Sequence, residues 1–451
     1  PWTTAVSRLI GGFHPSSNTT LGAGAAMTSV AAIAGRGGAF LGWRIVALAT
    51  ITAALTGPGQ TIGVSVFVDP MIGALSLTRS EVSTAYLIGT LVGAAALLPV
   101  GRLIDKVGAS RAMTLIGLAL GLGLLVMSGV QGFVTLAIGF TLIRWLGQGS
   151  LQLVSTLSVT PWFERRRGFA FGLMTTATAT LMALTPVFLG AAIGAYGWRA
   201  AWVLAAVAIW LVVVPIARFG IIDRPSDVGQ WPDGDSAPLP EDEGSEASGR
   251  PSLSRAEALR QPRFWVLSLV IAATSMLITA LNFHQISILG AQGLSVTEAA
   301  AMFLPQVVGA IVAGMVMGAL TDRLPASALL AATMGLLVIS LVLAVYLQPG
   351  PMILLYAMVL GAAGGAGRPV VATVLPRWYG LANIGAIQGV SMLVAVAASA
   401  SGPVALSLAR DGLGGYGPAA WVFVAIPVAI GLAALAIREP ELERAPARAA
   451  V

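Results

Sequence analysis

Gly101-Arg102-Leu103-Ile104-Asp105-Lys106-Val107-Gly108-Ala109-Ser110-Arg111 reads as a short charged loop wedged between two long apolar runs. A shift of 217 residues carries Gly101 and Asp105 onto Gly318 and Asp322, in Gly318-Ala319-Leu320-Thr321-Asp322-Arg323, again a charged break between apolar runs. The same shift moves Thr78-Arg79-Ser80-Glu81 onto Ser295-Val296-Thr297-Glu298. Both are Ser/Thr-x-x-Glu capping boxes opening an apolar helix. Trp202 pairs with Trp421 at a shift of 219, and Trp43 with Trp265 at 222. One register therefore relates the two halves, and a repeat this long suits a duplicated helical bundle rather than a solenoid.

Composition identifies the solvent. The 451 residues are 57% hydrophobic and only 10% charged, with 54 glycines and no cysteine. Such a chain belongs in a bilayer, and it has neither disulfides nor thiolate metal sites. Twelve apolar runs are long enough to cross about 30 Å of hydrocarbon. They fall near 43–67, 82–100, 112–130, 133–159, 168–195, 200–219, 264–288, 298–319, 327–347, 351–375, 382–409 and 417–437. The expected fold is all-α, with twelve transmembrane helices in two pseudo-symmetric six-helix bundles.

With the amino terminus inside, 20 of the 25 Lys and Arg residues fall in inner segments, and only Arg79, Arg199 and Arg410 fall outside. This positive-inside asymmetry accounts for the formal charge of +6 without any nucleic-acid partner. It predicts a multi-pass protein of a bacterial inner membrane with both termini cytoplasmic. Residues 1–41 read as a disordered tail with no targeting signal, and Met27 as the natural start. The bundles are expected at 42–220 and 263–438, and a cytoplasmic tail at 439–451. Between them, 221–262 holds nine of the 19 acids and reads as a flexible inner linker. Near its end, Ser254-Arg255-Ala256-Glu257 is a further capping box.

Several interruptions within the spans carry chemistry. Gly57-Pro58-Gly59-Gln60 breaks span 1 near its middle, which makes Gln60 a candidate cavity residue. The pairs Gly89/Gly93, Gly168/Gly172, Gly314/Gly318 and Gly385/Gly389 allow close helix packing in spans 2, 5, 8 and 11. Only Arg144 in span 4 and Arg368 in span 10 lie well inside as charges. A buried Arg costs about 2.5–3.5 kcal/mol at a helix centre and needs a partner. No carboxylate shares their layer: Asp69 lies beyond the outer end of span 1, and Glu81 and Glu298 cap. Two unmatched guanidinium groups predict an anionic, carboxylate-bearing substrate, bound in bidentate fashion. The competing expectation is that either Arg bonds helix carbonyls. His284, in span 7, is a candidate for substrate contact or proton relay, or else a packing residue. Gln148, Gln152, Asn282, Gln306 and Gln388 complete the polar set. No cluster has metal-ligand spacing, no Gly-rich loop suits a nucleotide and no Ser/His/Asp set suits hydrolysis. No cofactor and no enzymatic activity are expected.

Gly101-x-Leu103-x-Asp105-Lys106-x-Gly108, its degenerate copy at Gly318–Arg323 and the duplicated layout resemble the major facilitator superfamily over nearly all of 43–437. Trp162-Phe163-Glu164-Arg165-Arg166-Arg167-Gly168-Phe169-Ala170-Phe171-Gly172 is similar to the signature entering span 5 of the monocarboxylate porters and oxalate/formate antiporters. Phe264-Trp265, Phe283-His284-Gln285 and Asp223-Arg224-Pro225-Ser226-Asp227-Val228-Gly229 fit that branch. The first porter signature survives only as Gly42-Trp43, and the cations of spans 1 and 8 are missing; span 8 offers Gln306 instead.

The resemblance implies that Asp105, flanked by Gly101, Lys106 and Gly108, latches the inner gate against the start of span 11, near Leu381–Gly385. There the unsatisfied N–H groups favour an anion. Asp322, next to Arg323 in the gating set, would do the same near Gly168. It also implies alternating-access transport of a small organic anion, by proton symport or anion exchange. The alternatives are efflux of a neutral or amphipathic compound, and a sensor that binds without translocating.

Overall fold

The structure, a computed structural model, describes residues 39–235, 253–380 and 383–437. The expected tails, the acidic middle of the linker and the Leu381-Ala382 part of the latch site lie outside the described residues. Nine described helices are long and apolar enough to cross a bilayer, and a bent pair makes a tenth. The 54-residue element Arg167–Gly220 is two spans joined at Gly197, whose φ of 80° turns the chain. Three consecutive helical pieces run unbroken over 133–159. The result is the expected twelve: α1 (Gly42–Ser65), α2 (Arg79–Ala96 with Val100–Val107), α3 (Ala109–Ser128), α4 (133–159), α5 and α6 (either side of Gly197), α7 (Pro262–Gly290), α8 (Val296–Leu320), α9 (Ala326–Val345), α10 (Pro351–Tyr379), α11 (Ile384–Leu413) and α12 (Tyr416–Ala436).

Local chemistry explains the boundaries. Thr78, Ser254 and Ser295 each form the full reciprocal capping box, with side chain and backbone exchanged between the cap and Glu81, Glu257 or Glu298. The charged stretch after α2 is not a loop: Val100–Val107 is helical, bent by 44° from Arg79–Ala96, and only Gly108 breaks it. The apolar Val100 and Ile104 face inward while Arg102, Asp105 and Lys106 point out, so an amphipathic turn forms where a charge count suggested coil. Gly108 has φ of 86°, and a Cβ there would lie 2.2 Å from the Asp223 carboxylate.

The halves repeat one packing scheme. In the first, α2 lies on α4, α1 on α5 and α3 on α6; in the second, α8 lies on α10, α7 on α11 and α9 on α12. Glycine allows the closest of these approaches. A Cβ at Gly309 would sit 2.0 Å from the Met358 carbonyl oxygen, and one at Gly365 2.2 Å from that of Ala310. Between helices in lipid such contact is dispersion-driven, so losing it is felt directly. Of the four glycine pairs, Gly89/Gly93 packs on α4 and Gly314/Gly318 faces α10, whereas Gly168, Gly172, Gly385 and Gly389 have nothing within 4 Å.

The start of the expected flexible linker is folded. Trp162 Nε1 donates to the Ile222 carbonyl at 3.2 Å, and Asp223 accepts from Ser110 N–H at 2.8 Å at the start of α3. Asp233 accepts from three successive N–H groups, of Glu164, Arg165 and Arg166, at 3.0, 2.8 and 3.2 Å. Residues 221–235 are thus a strap across the arginine-rich end of the first bundle, held by anions at helix starts. Burial opposes the Asp233 charge, but the three N–H bonds and the Arg165 guanidinium hold its carboxyl below the usual range. Because the folded-state value is depressed, this contribution is present above the ordinary carboxylate pKa and is lost as pH falls through the lowered one.

Two predictions follow from this packing. Gly309→Ala should lower the melting temperature in detergent by several degrees, whereas Gly389→Ala should leave it unchanged or slightly higher; equal effects would contradict the packing. Asp233→Asn should cost about 1.5–3 kcal/mol, the range for a hydrogen bond to a charged group. In addition, the acid-side loss of melting temperature seen in the native chain should shrink in the variant.

Candidate functional site

The bundles meet at the end opposite the arginine-rich loops. Asp69, just beyond α1, pairs with Arg79 at the start of α2, and both reach across to Ser287 of α7. The Arg79–Ser287 and Ser287–Asp69 bonds are 2.8 and 2.7 Å. Ser80 donates to Asp411 of α11 at 2.8 Å, and Tyr86 packs on Phe283 with ring centroids 4.7 Å apart. This seam closes one end. Toward the other end, the unpacked glycines of α5 and α11 border open space.

Two cavities lie below the seam. The larger, about 730 Å³, runs between α5 of the first bundle and α7, α8 and α10 of the second. Its wall is largely apolar, with Phe171, Met182, Ile278, Phe303 and Ile311 among the lining groups. The smaller, about 470 Å³, lies among α7, α10 and α11 and includes Thr274, Ser275, Thr279 and Ser399. Arg368, Ile278 and Gly364 belong to both walls. No Asp or Glu lines either cavity. Arg368 has neither a hydrogen bond nor an ion pair among the described residues, and it is exposed where the two spaces meet. Arg368 is thus a cation beside a largely apolar wall, with no counter-charge among the lining residues.

Arg144 is placed differently, which corrects the expectation of two cavity arginines. It is 4% exposed; Nε donates to Thr90 Oγ1 at 3.1 Å and Nη1 to the Gly59 carbonyl at 3.3 Å, while its guanidinium lies 4.7 Å from the Tyr86 ring centroid. The cause is the break in α1. Gly57-Pro58-Gly59 forms a single 3₁₀ turn ending in extended Gln60, so helical bonding is interrupted and the Gly59 carbonyl turns to α4. A Cβ at Gly59 would be 2.5 Å from the Ile143 carbonyl oxygen, so only glycine admits the approach. α4 answers with a π-helical stretch, Arg144–Leu151. Arg144 therefore pins a broken helix to its neighbours, the carbonyl-bonded alternative raised above.

Of the remaining candidates, Asn282 and Gln306 line the larger cavity and Gln388 the smaller. Gln60 donates to Thr56 at 3.1 Å, and Thr56 also reaches Gln152 at 3.5 Å, a polar chain linking α1 and α4 away from both cavities. Gln148 lines neither cavity, and its Oε1 is buried without a donor. His284 is fully buried. Its Nε2 lies 3.0 Å from the Pro403 carbonyl, which can only accept, so Nε2 carries the hydrogen and Nδ1 accepts from the Tyr416 hydroxyl at 3.3 Å. The imidazole is satisfied within the second bundle and reaches neither cavity, as a packing residue would. Asp105, Lys106, Asp322 and Arg323 are exposed and have no side-chain partner among the described residues. The Asp69–Arg79–Ser287 seam was missed because a carboxylate beyond a span looks solvated until the second half is brought against it.

Arg144→Gln should lower the melting temperature, since the Gly59 carbonyl and Thr90 hydroxyl lose a buried charged donor, at about 1–3 kcal/mol. Substrate affinity of the folded fraction should stay near that of the native chain; a large selective loss of affinity would place Arg144 in the site after all.

Three comparisons bear on the fold. The chain overlays on a bacterial homolog of the human lysosomal transporter Spinster, in its inward-facing unoccupied form, with a TM-score of 0.69 and 17% identity over 88% of this chain and 98% of that one. The inward-facing occupied form of that protein gives 0.68 at 17% identity, with 88% and 97% covered. A variant of the nucleoside transporter NupG gives 0.68 at 12% identity, over 88% and 99%. No curated protein matches by sequence. Residues 49–350 match the family model of the Major Facilitator Superfamily. A duplicated set of twelve helices closed over a central cavity, together with that match across both halves, makes this chain a member of the Major Facilitator Superfamily of transporters.

Proposed function

We propose that the protein carries a small organic anion, a mono- or dicarboxylate, with Arg368 as its anchor. The observation that carries this reading is the guanidinium left without an acidic partner between two cavities whose walls hold no carboxylate. Guanidinium binds carboxylate through two parallel hydrogen bonds, and the apolar wall beside Arg368 offers no competing charge. In this reading the segments 42–220 and 263–438 rock about the cargo, the seam at Asp69–Arg79–Ser287 opens, and the Asp105 latch engages at the other end. The arginine-rich end is cytoplasmic in this reading, on the strength of the positive-inside count, with a bacterial inner membrane as the expected setting. Anion exchange, or a proton carried on the substrate itself, suits the cavity better than a protein proton relay, since His284 is occupied by Pro403 and Tyr416.

A second reading, transport of a neutral or amphipathic compound, draws on the apolar wall and on Arg144 being bound to a carbonyl. The NupG neighbour, a nucleoside transporter by its description, is compatible with it. Uptake into proteoliposomes of a carboxylate panel, at two pH values and with or without counter-substrate, separates the readings. Carboxylate flux should be present in the native chain and fall at least tenfold in Arg368→Gln. Flux of uncharged compounds alone, indifferent to that substitution, would overturn the anion reading; binding without flux would indicate a sensor.

A further inference from the structure

The walls of the larger cavity are held in a definite register. A Cβ at Gly361 of α10 would lie 1.9 Å from the Gln306 carbonyl oxygen of α8, and one at Gly365 2.2 Å from that of Ala310. Gln306 is therefore level with Gly361, with no side chain between the two backbones. On α7, Ile278 touches the Cβ position of Gly364 at 3.8 Å. α7 runs antiparallel to α10, so Asn282, one turn on, comes level with Gln306. Arg368 lies seven residues past Gly361, about 10 Å further along α10 at the rise of an α-helix.

The polar groups of this cavity thus separate toward its two ends. At the closed end, Gln306 donates through Nε2 to Gln285, Asn282 Oδ1 is buried with no donor, and Gln285 Nε2 is buried with no acceptor. The partner atoms of the two lining residues, Asn282 Nδ2 and Gln306 Oε1, are not sealed in this way and have no hydrogen-bond partner among the described residues. At the other end is the unpaired Arg368. Between the two the wall includes Ile278, Ala310 and Ile311.

We propose that this cavity measures its cargo: it takes an elongated anion whose charge sits on Arg368, whose body is apolar, and whose far end carries a hydroxyl or similar group for the Asn282–Gln306 amides. The inference rests on the anion reading given above and sharpens it from any small carboxylate to an ω-functionalised, amphipathic one. The hydroxyl matches these two lining residues because it can donate to the Gln306 Oε1 and accept from the Asn282 Nδ2–H, the amide atoms that stay accessible and that no group among the described residues engages. Short acids such as formate, acetate or oxalate can satisfy Arg368 but leave the far amides and the apolar wall unfilled.

The test is equilibrium binding to the purified full chain of straight-chain carboxylates from acetate to dodecanoate, each with and without a terminal hydroxyl. Affinity should peak at an intermediate length, and only near that peak should the hydroxyl improve it, by about fivefold to tenfold, the value of one net hydrogen bond. Asn282→Ala and Gln306→Ala should each abolish that ratio between hydroxylated and plain chains, whereas Arg368→Gln should weaken the whole series. The native-chain series stands even where a variant fails to fold. Affinity indifferent to length and hydroxyl, but still lost in Arg368→Gln, would refute the length-measuring cavity and leave anion recognition standing. No carboxylate binding at any length, with Arg368→Gln without effect, would overturn both.

Discussion

A guanidinium placed in hydrocarbon must find something to bond, and the difference between the two arginines of this chain follows from what each can reach. Arg144 faces a helix that has already surrendered its internal bonding, so a backbone carbonyl waits beside it. Arg368 sits in α10, which α8 approaches through glycine contacts, and no group among the described residues accepts a hydrogen bond from it. One charge becomes a rivet and the other is left facing open space. Both outcomes come from the same demand, that polar groups be satisfied where water is scarce.

Glycine has an equally double role. Where it allows backbones to touch, at Gly309, Gly361 and Gly365, it fixes the wall that carries Gln306 and Arg368. Where it touches nothing, at Gly168, Gly172, Gly385 and Gly389, it leaves smooth surface on α5 and α11 at the open end. A fold that alternates between two closures needs both kinds. The closest contacts within a bundle are backbone on backbone, while those between bundles include charged and hydroxyl groups at one rim and the packing of Tyr86 on Phe283. Such a rim is wet enough to break and re-form, which a packed glycine seam is not.

The strap over the arginine-rich end shows how a polar segment stays ordered against a membrane bundle. Asp223 and Asp233 each occupy a helix start, and Trp162 ties the segment's first carbonyl to the rim. Asp233 holds φ of 60°, a conformation that Asp tolerates better than most residues, so that its carboxylate meets three N–H groups at once. The first bundle thereby carries an ordered polar face built from sequence that, by composition alone, looks unstructured.

The amino-acid order by itself determined the solvent, the twelve spans, the duplication and the caps. These depend on local hydropathy and on short spacings such as Thr78 to Glu81, which no tertiary contact overrides. It also isolated Arg144 and Arg368 as the charges that needed an explanation, and it named Asn282, Gln306 and Gln388 as cavity candidates. What it could not supply was orientation around each helix axis and the state of neighbouring helices. Whether an Arg meets a freed carbonyl or an empty wall, whether His284 is already held by Pro403 and Tyr416, and whether Asp69 finds Ser287 some 218 residues away are questions of packing. Residues adjacent in sequence constrain one another through bonds, whereas these pairs are brought together only when the helices pack. For that reason the scaffold was legible in one dimension and the division of labour between the two arginines was decided in three.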